Sequence, residues 1–236
     1  MSSLAPFRFP RLLGTLLLAV LAAGCDRSPP DHPFLPWDVA VNERGQVEVF
    51  GVILGESTLL DFKRLYDQKA DLAMFSKTGE PLTLEAYFGR MSVGPLTAQV
   101  VLVAEVDQET LERWADQSTI ADPTPSGARK LSMSDEALLE AQDKPIRSIS
   151  YVPTADYEEE LLTRRFGEPA DKRPIPRGER EQDEPPAVLW LYPKKGLAIT
   201  VEADDKELFQ YINPARFDQL VERTLGGSPE GDPEDH

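Results

Sequence analysis

The chain has 236 residues, a formal net charge of −16, two histidines and a single cysteine. One cysteine excludes a disulfide framework within the chain, and the acidity sets the surface against nucleic-acid phosphates and anionic lipid headgroups. At 41% hydrophobic residues there is material for a packed core, in one large domain or two small ones.

Arg8 and Arg11 precede the run Leu12 to Cys25, LLGTLLLAVLAAGC. It has the length of an export signal, falls short of a bilayer span and ends in small residues. The ending Leu21-Ala22-Ala23-Gly24-Cys25 resembles the lipobox of bacterial lipoproteins, with Ala22 where the usual pattern has leucine. That resemblance implies a leader over residues 1–24 and a diacylglycerol on the sulfur of Cys25. Everything beyond would then lie outside the cytoplasm, and cleavage would leave the remainder two charges more negative. Asp26 resembles the residue that retains such proteins in the inner membrane of enteric bacteria, which favours the inner membrane over the outer. Residues 25–36 read as a Pro-rich tether.

Residues 37–118 form the first of two expected α+β units. Val39 and Val41, the turn residues Asn42 to Gly45, then Val47 and Val49 predict a hairpin. Ser57 or Thr58 can cap a short helix burying Leu59, Phe62 and Tyr66, with Asp61 three after Thr58 as in a capping box. Strands are expected at Ala70 to Phe75, Leu82 to Arg90 and Leu96 to Val106. In the last, the even-numbered positions Leu96 to Val106 share a face, and Val101 with Val103 oppose them, so part of this strand is expected to be covered on both sides. Asp107 caps a helix carrying Leu111 and Trp114. Residues 119–145 read as a linker, Pro/Gly/Ser-rich over Thr119 to Arg129, then a strand-like Lys130 to Met133 and a short helix from Ser134 to Gln142.

Residues 146–227 repeat the order. A strand over Ile146 to Val152 precedes a helix capped by Thr154 and ending at Phe166 before Gly167. Asp171 to Pro186 is a charged excursion. Strands follow at Ala187 to Tyr192, Leu197 to Glu202 and Glu207 to Ile212, and Asn213-Pro214 opens a last helix with Phe217, Leu220 and Val221 inward. Residues 228–236 are an acidic tail. The expected fold is thus α+β, two diverged tandem strand, helix, three-strand meander, helix units with antiparallel sheets.

In the second half, Tyr157 to Gly167-Glu168-Pro169, Leu189-Trp190-Leu191-Tyr192-Pro193 and Gly196 to Val201 resemble the SmpA/OmlA-type small outer-membrane lipoproteins. The resemblance implies an α+β module acting by contact, such as an accessory of β-barrel assembly. The tandem arrangement resembles secreted β-lactamase-inhibitory proteins, which makes inhibition of a periplasmic enzyme an alternative function.

Chemistry is sparse. His32 lies in the tether and His236 at the terminus, which leaves no basis for a histidine triad or a typical zinc site. No phosphate loop, nucleophile elbow or dinucleotide fingerprint occurs, and no cofactor or metal is expected. Glu158, Glu159 and Glu160 on a helix and Asp204 with Asp205 in a turn are the carboxylates from which a glycan hydrolase would be built. Consecutive acids point around a helix rather than into one cleft, so solvated charge is the simpler reading. Arg164 and Arg165 suit a helix C-terminus. Trp190, Tyr192 and Lys194 are the candidate partner contact, against the simpler reading of core aromatics at a strand end. The expected function is a lipid-anchored envelope protein without catalysis, held to the membrane through Cys25 and binding another envelope protein, not nucleic acid.

Overall fold

The computed structural model describes residues 34–118, 121–124, 127–176, 186–202 and 207–226. The leader, Cys25, most of the tether, Asp204, Asp205, both histidines and the acidic tail lie outside them. The fold is α+β with antiparallel sheets. Among the described residues there are five α-helices, one three-stranded sheet and one ten-stranded sheet. No helix among them is long and apolar enough to cross a membrane.

The small sheet is β1 (Ala40–Val41), β2 (Val47–Val49) and β3 (Val52–Ile53). Its first turn forms as the residues predict, with Asn42 Oδ1 accepting from the amides of Arg44 and Gln46, each at 3.0 Å. The second turn places Phe50 (φ 53°) and Gly51 (φ 73°) in the left-handed region that a tight hairpin demands. Phe50 tolerates that conformation because its ring is buried against Tyr151 and Tyr211, at 5.4 and 5.3 Å between centroids.

Helix α1 (Leu59–Tyr66) follows, opened by the expected capping box between Thr58 and Asp61. The meander β4 (Asp71–Ser76), β5 (Thr83–Val93), β6 (Leu96–Ala104) leads to α2 (Gln108–Asp116), capped by Asp107. The expected linker supplies more structure than its composition suggests. Strands β7 (Ala121–Pro123) and β8 (Arg129–Leu131) pair with each other, and β8 extends the sheet beyond β4. Helix α3 (Asp135–Ala141), capped by Ser134, precedes β9 (Ile146–Pro153).

Helix α4 (Glu159–Phe166) begins later than Thr154, and its N-terminal residue Glu158 makes no side-chain cap. The reason lies in Tyr157, whose amide donates to the buried Glu207 carboxylate at 3.0 Å while its ring packs edge-on to Phe209. These contacts hold the preceding residues out of the helix. Then come β10 (Asp171–Pro174), inside the expected excursion, β11 (Val188–Tyr192), β12 (Leu197–Val201), β13 (Leu208–Ile212) and α5 (Phe217–Leu225).

The strand order is β10-β11-β12-β13-β9-β6-β5-β4-β8-β7, every neighbouring pair antiparallel. Strand β9 joins the two meanders, pairing with β6 from Ala98↔Pro153 to Ala104↔Ile146 and with β13 from Tyr151↔Phe209 to Ser148↔Ile212. The leading strand of the second half is therefore central, whereas its counterpart in the first half belongs to the separate small sheet. The main core lies on one face of the large sheet. It includes Leu84, Val100, Leu102, Tyr151, Trp190 and Phe209 from the strands, and Leu59, Phe62, Trp114 and Leu162 from the helices. A second cluster on the opposite face joins Leu189, Leu191, Ala198 and Ile212 to Phe217, Leu220 and Val221 of α5.

Candidate functional site

Nine residues of α5 extend for about 13 Å, and strands lie about 4.8 Å apart, so this helix covers roughly three strands of a ten-stranded sheet. It covers the β11, β12, β13 end. On the same face, the β4, β5, β6 end has no helix over it among the described residues, so Val101 and Val103 of β6 are half-buried rather than covered on that side as expected, because α5 reaches only the far strands. That face presents Ala73, Phe75, Glu85, Tyr87, Val101 and Val103, brought into rows by the pairs Ala73↔Glu85↔Val103 and Asp71↔Tyr87↔Val101. Strict alternation on β5 places them there, because Leu84, Ala86 and Phe88 take the buried side.

The result is a shallow groove of about 190 Å³ lined by Asp71, Phe75, Glu85, Tyr87, Val101 and Lys130. Tyr87 is 43% exposed, while Phe75, Val101 and Val103 are half-buried. Lys130, opposite Phe75 on β8, reaches Asp71 Oδ2 at 2.6 Å and fixes one rim. Glu85 is half-buried, and burial pushes its carboxyl above the ordinary range. The Thr83 hydroxyl, donating to Glu85 Oε1 at 3.3 Å, and the charge of Arg147 pull it part of the way back.

Arg147 enters through an irregularity. The β6–β9 register shifts between Val103↔Ser148 and Ala104↔Ile146, leaving Arg147 without an opposite residue, and such bulges re-aim a side chain. Burial, then the nearby charges of Arg223 and Arg216, lower its pKa, and Glu105 and Glu85 oppose them. Arg216 itself is hydrogen-bonded to Glu105. The open end of the sheet is thus a half-buried strip of Phe75, Val101 and Val103 with Glu85 among them and one projecting phenol ring, between the Asp71–Lys130 pair and the Arg147, Arg216, Glu105 group. Aromatic rings and arginines around an apolar centre are the composition of protein-contact surfaces.

The residues singled out from sequence are arranged differently. Trp190 and Tyr192 are 1% and 4% exposed. The Lys172 ammonium lies 3.5 Å from the Trp190 ring centroid, and Tyr192 Oη donates to the Gly167 carbonyl oxygen at 3.1 Å. Both rings are turned into the core, and only Lys194, in the 3-10 turn Pro193–Lys195, is exposed. The three do not form a surface patch, because β11 is buried on both faces and leaves no solvent side to its aromatics. Glu158, Glu159 and Glu160 are all exposed, Glu159 pairing with Lys172 and Glu160 with Arg164. Arg165 lies 4.4 Å over the Trp37 ring. Cys25 lies outside the described residues.

Glu85, Tyr87 and Arg147 escaped sequence reasoning. Alternation along Leu82 to Arg90 sets Glu85 and Tyr87 opposite the core side, but nothing local says which strands adjoin them or that no helix follows. No group of histidine, cysteine and carboxylate suited to a metal ion occurs among the described residues. Comparisons with models of protein families, with curated protein sequences and with solved structures return no match to this chain.

Proposed function

We propose that this chain is a lipid-anchored protein of the bacterial envelope, tethered through Cys25, which works by holding another envelope protein on the uncovered end of its sheet. The leader and lipobox-like ending support the anchor, and the resemblance to SmpA/OmlA-type lipoproteins supports a role by contact. The observation that carries the contact surface is Tyr87, 43% exposed on the strand face that α5 stops short of. Contiguous apolar surface left open on a folded domain marks an interaction site more often than idle surface.

A photo-crosslinking amino acid placed at Tyr87 in intact cells tests it. One discrete envelope-protein adduct is expected from that position and none from Leu139, 68% exposed on α3. Equal labelling at both positions, or none at Tyr87, would overturn the reading.

One observation favours a second reading, hydrolysis of envelope glycans. Asp71 and Glu85 line the same groove, and their diagonal placement on adjacent strands sets the two residues about 7–8 Å apart, within the range over which an acid and base flank a glycosidic bond. Size decides against it. The groove holds about 190 Å³, below the roughly 300–1,000 Å³ of small-molecule sites, and Asp71 is tied to Lys130. Loss of glycan cleavage in Glu85→Gln, with the parent active, would reverse that order.

A further inference from the structure

The segment that leaves the body towards Cys25 is fastened to it. Tyr211, fully buried, donates its hydroxyl to the Pro36 carbonyl oxygen at 2.8 Å. Arg165 lies over Trp37 at 4.4 Å, and Asp38 Oδ2 accepts from the Leu35 amide at 3.0 Å. Phe34 sits directly on Gly51, where an added Cβ would meet the Phe34 ring at 2.4 Å and Leu65 at 2.8 Å. Residues 34–38 are thus clamped between the β2–β3 turn, α1, α4 and β13, and the chain leaves the body at Phe34.

That shortens the leash. Residues 26–33 alone separate Cys25 from Phe34, and nine Cα-to-Cα steps reach about 30 Å at full stretch. A domain of about 200 residues is roughly 40 Å across. With its thiol held at a bilayer, the body has too little chain to turn the Phe34 side away.

The chemistry of that side suits the position. Leu65 is 40% exposed beside Phe34. Arg64 precedes it, and the last turns of α1 and α4 carry Lys63, Arg64, Arg164 and Arg165. Of the acids nearby, Asp38 is engaged by the Leu35 amide and Glu160 by Arg164, while Asp67 ends α1 exposed. On a chain of charge −16, Phe34 and Leu65 meet beside Gly51, and Arg165 lies over Trp37, where the chain leaves towards Cys25.

We propose that the side around Phe34 and Leu65, bordered by Arg64 and Arg165, rests on the headgroup surface of an anionic bilayer. This builds on the lipid-anchor reading and adds an orientation to it: the body lies against the membrane rather than swinging free. Basic residues are drawn to anionic headgroups, and an apolar side chain enters the interface beside them.

The test uses the full chain produced in a bacterial host, extracted in detergent and reconstituted into vesicles of phosphatidylglycerol and brominated phosphatidylcholine. Flotation on a density gradient, compared with Cys25→Ser, reads the anchor. Tryptophan emission reads the orientation, because Trp114 and Trp190 are 1% exposed and Trp37 lies beside the proposed surface. Brominated chains quench only rings close to them. The expected result is flotation that depends on Cys25, with emission quenched through Trp37 and the quenching lost in Trp37→Phe. Arg64→Glu combined with Leu65→Glu should still float and keep its far-UV spectrum, with the docked-to-free ratio lowered at least roughly fivefold. Flotation with equal emission in brominated and plain vesicles would overturn the orientation and leave the anchor standing. Absence of Cys25-dependent flotation would overturn the anchor. A photo-crosslink from position 65 to a protein in intact cells would assign that side to a protein instead.

Discussion

Asn213 shows how a residue's neighbours in space overrule its neighbours in sequence. Asn213-Pro214 is good helix-opening chemistry, yet α5 begins at Phe217 and the 3-10 turn Pro214–Arg216 intervenes without a side-chain cap. The amide instead ties the two sheets, Oδ1 accepting from the Val47 amide at 2.7 Å and Nδ2 donating to the Leu54 carbonyl oxygen at 3.0 Å. Asn213→Ala leaves both backbone groups unpaired and should lower unfolding stability by about 2 kcal/mol, read from the urea midpoint. Glycines divide by the same logic. Gly196 (φ 60°) would place a Cβ 2.0 Å from the Ile212 carbonyl oxygen, whereas Gly45 (φ 75°) has nothing within 4 Å. Gly196→Ala is therefore expected to lose roughly 2–5 kcal/mol and Gly45→Ala only about 1–2 kcal/mol, the left-handed conformation alone. Glu85 has a pH signature. Its folded-state pKa lies above the ordinary 4.5, so the native state binds its proton more tightly, and stability falls as pH rises through that window. Glu85→Gln should be more stable than the parent at neutral pH, with the difference vanishing below pH 4.5, as thermal melts across the range would show.

At the scale of elements, caps decide where helices start only when nothing else claims the same residues. Thr58 and Asp61 form their capping box as spaced, each side chain accepting from the other's backbone amide, at 3.2 and 2.9 Å, while the long-range bridge of Thr58 to Pro145 uses the backbone alone. Thr58→Ala should cost about 1 kcal/mol in the unfolding midpoint. Thr154 loses its role to the Tyr157–Glu207 contact, and Glu207 sits 50 residues away, beyond any local pattern. The outermost strands are defended by composition. β10 is Asp-Lys-Arg-Pro with every residue exposed, and β7 ends at Pro123, charges and prolines that discourage further strand addition. Both fell in stretches that composition marks as linker or excursion, because edge strands carry the same residues as loops.

Across the whole body, the two meanders share one sheet through β9, and the link between them folds back onto the first. Ile146 donates to the Ser57 carbonyl oxygen at 2.8 Å, and Leu59 to that of Lys144 at 3.1 Å. Val47 to Phe209 belong to one continuous core. Far-UV circular dichroism and tryptophan fluorescence should therefore report one coincident unfolding transition. Two resolved steps, one for each half, would show the halves to be separate cooperative units.

Alternation and turn chemistry are local properties, so the sequence alone determined the α+β class, the meander strands within a few residues and the inward row of β6. Pairing between strands far apart in the chain is not written in either one. Only the tertiary structure decided that β9 is central, that α5 stops short of β6, and that Phe34 to Asp38 lie against the body. The candidate surface is a consequence of those decisions. Glu85 and Tyr87 are ordinary strand residues until the sheet proves wider than the helix that covers it.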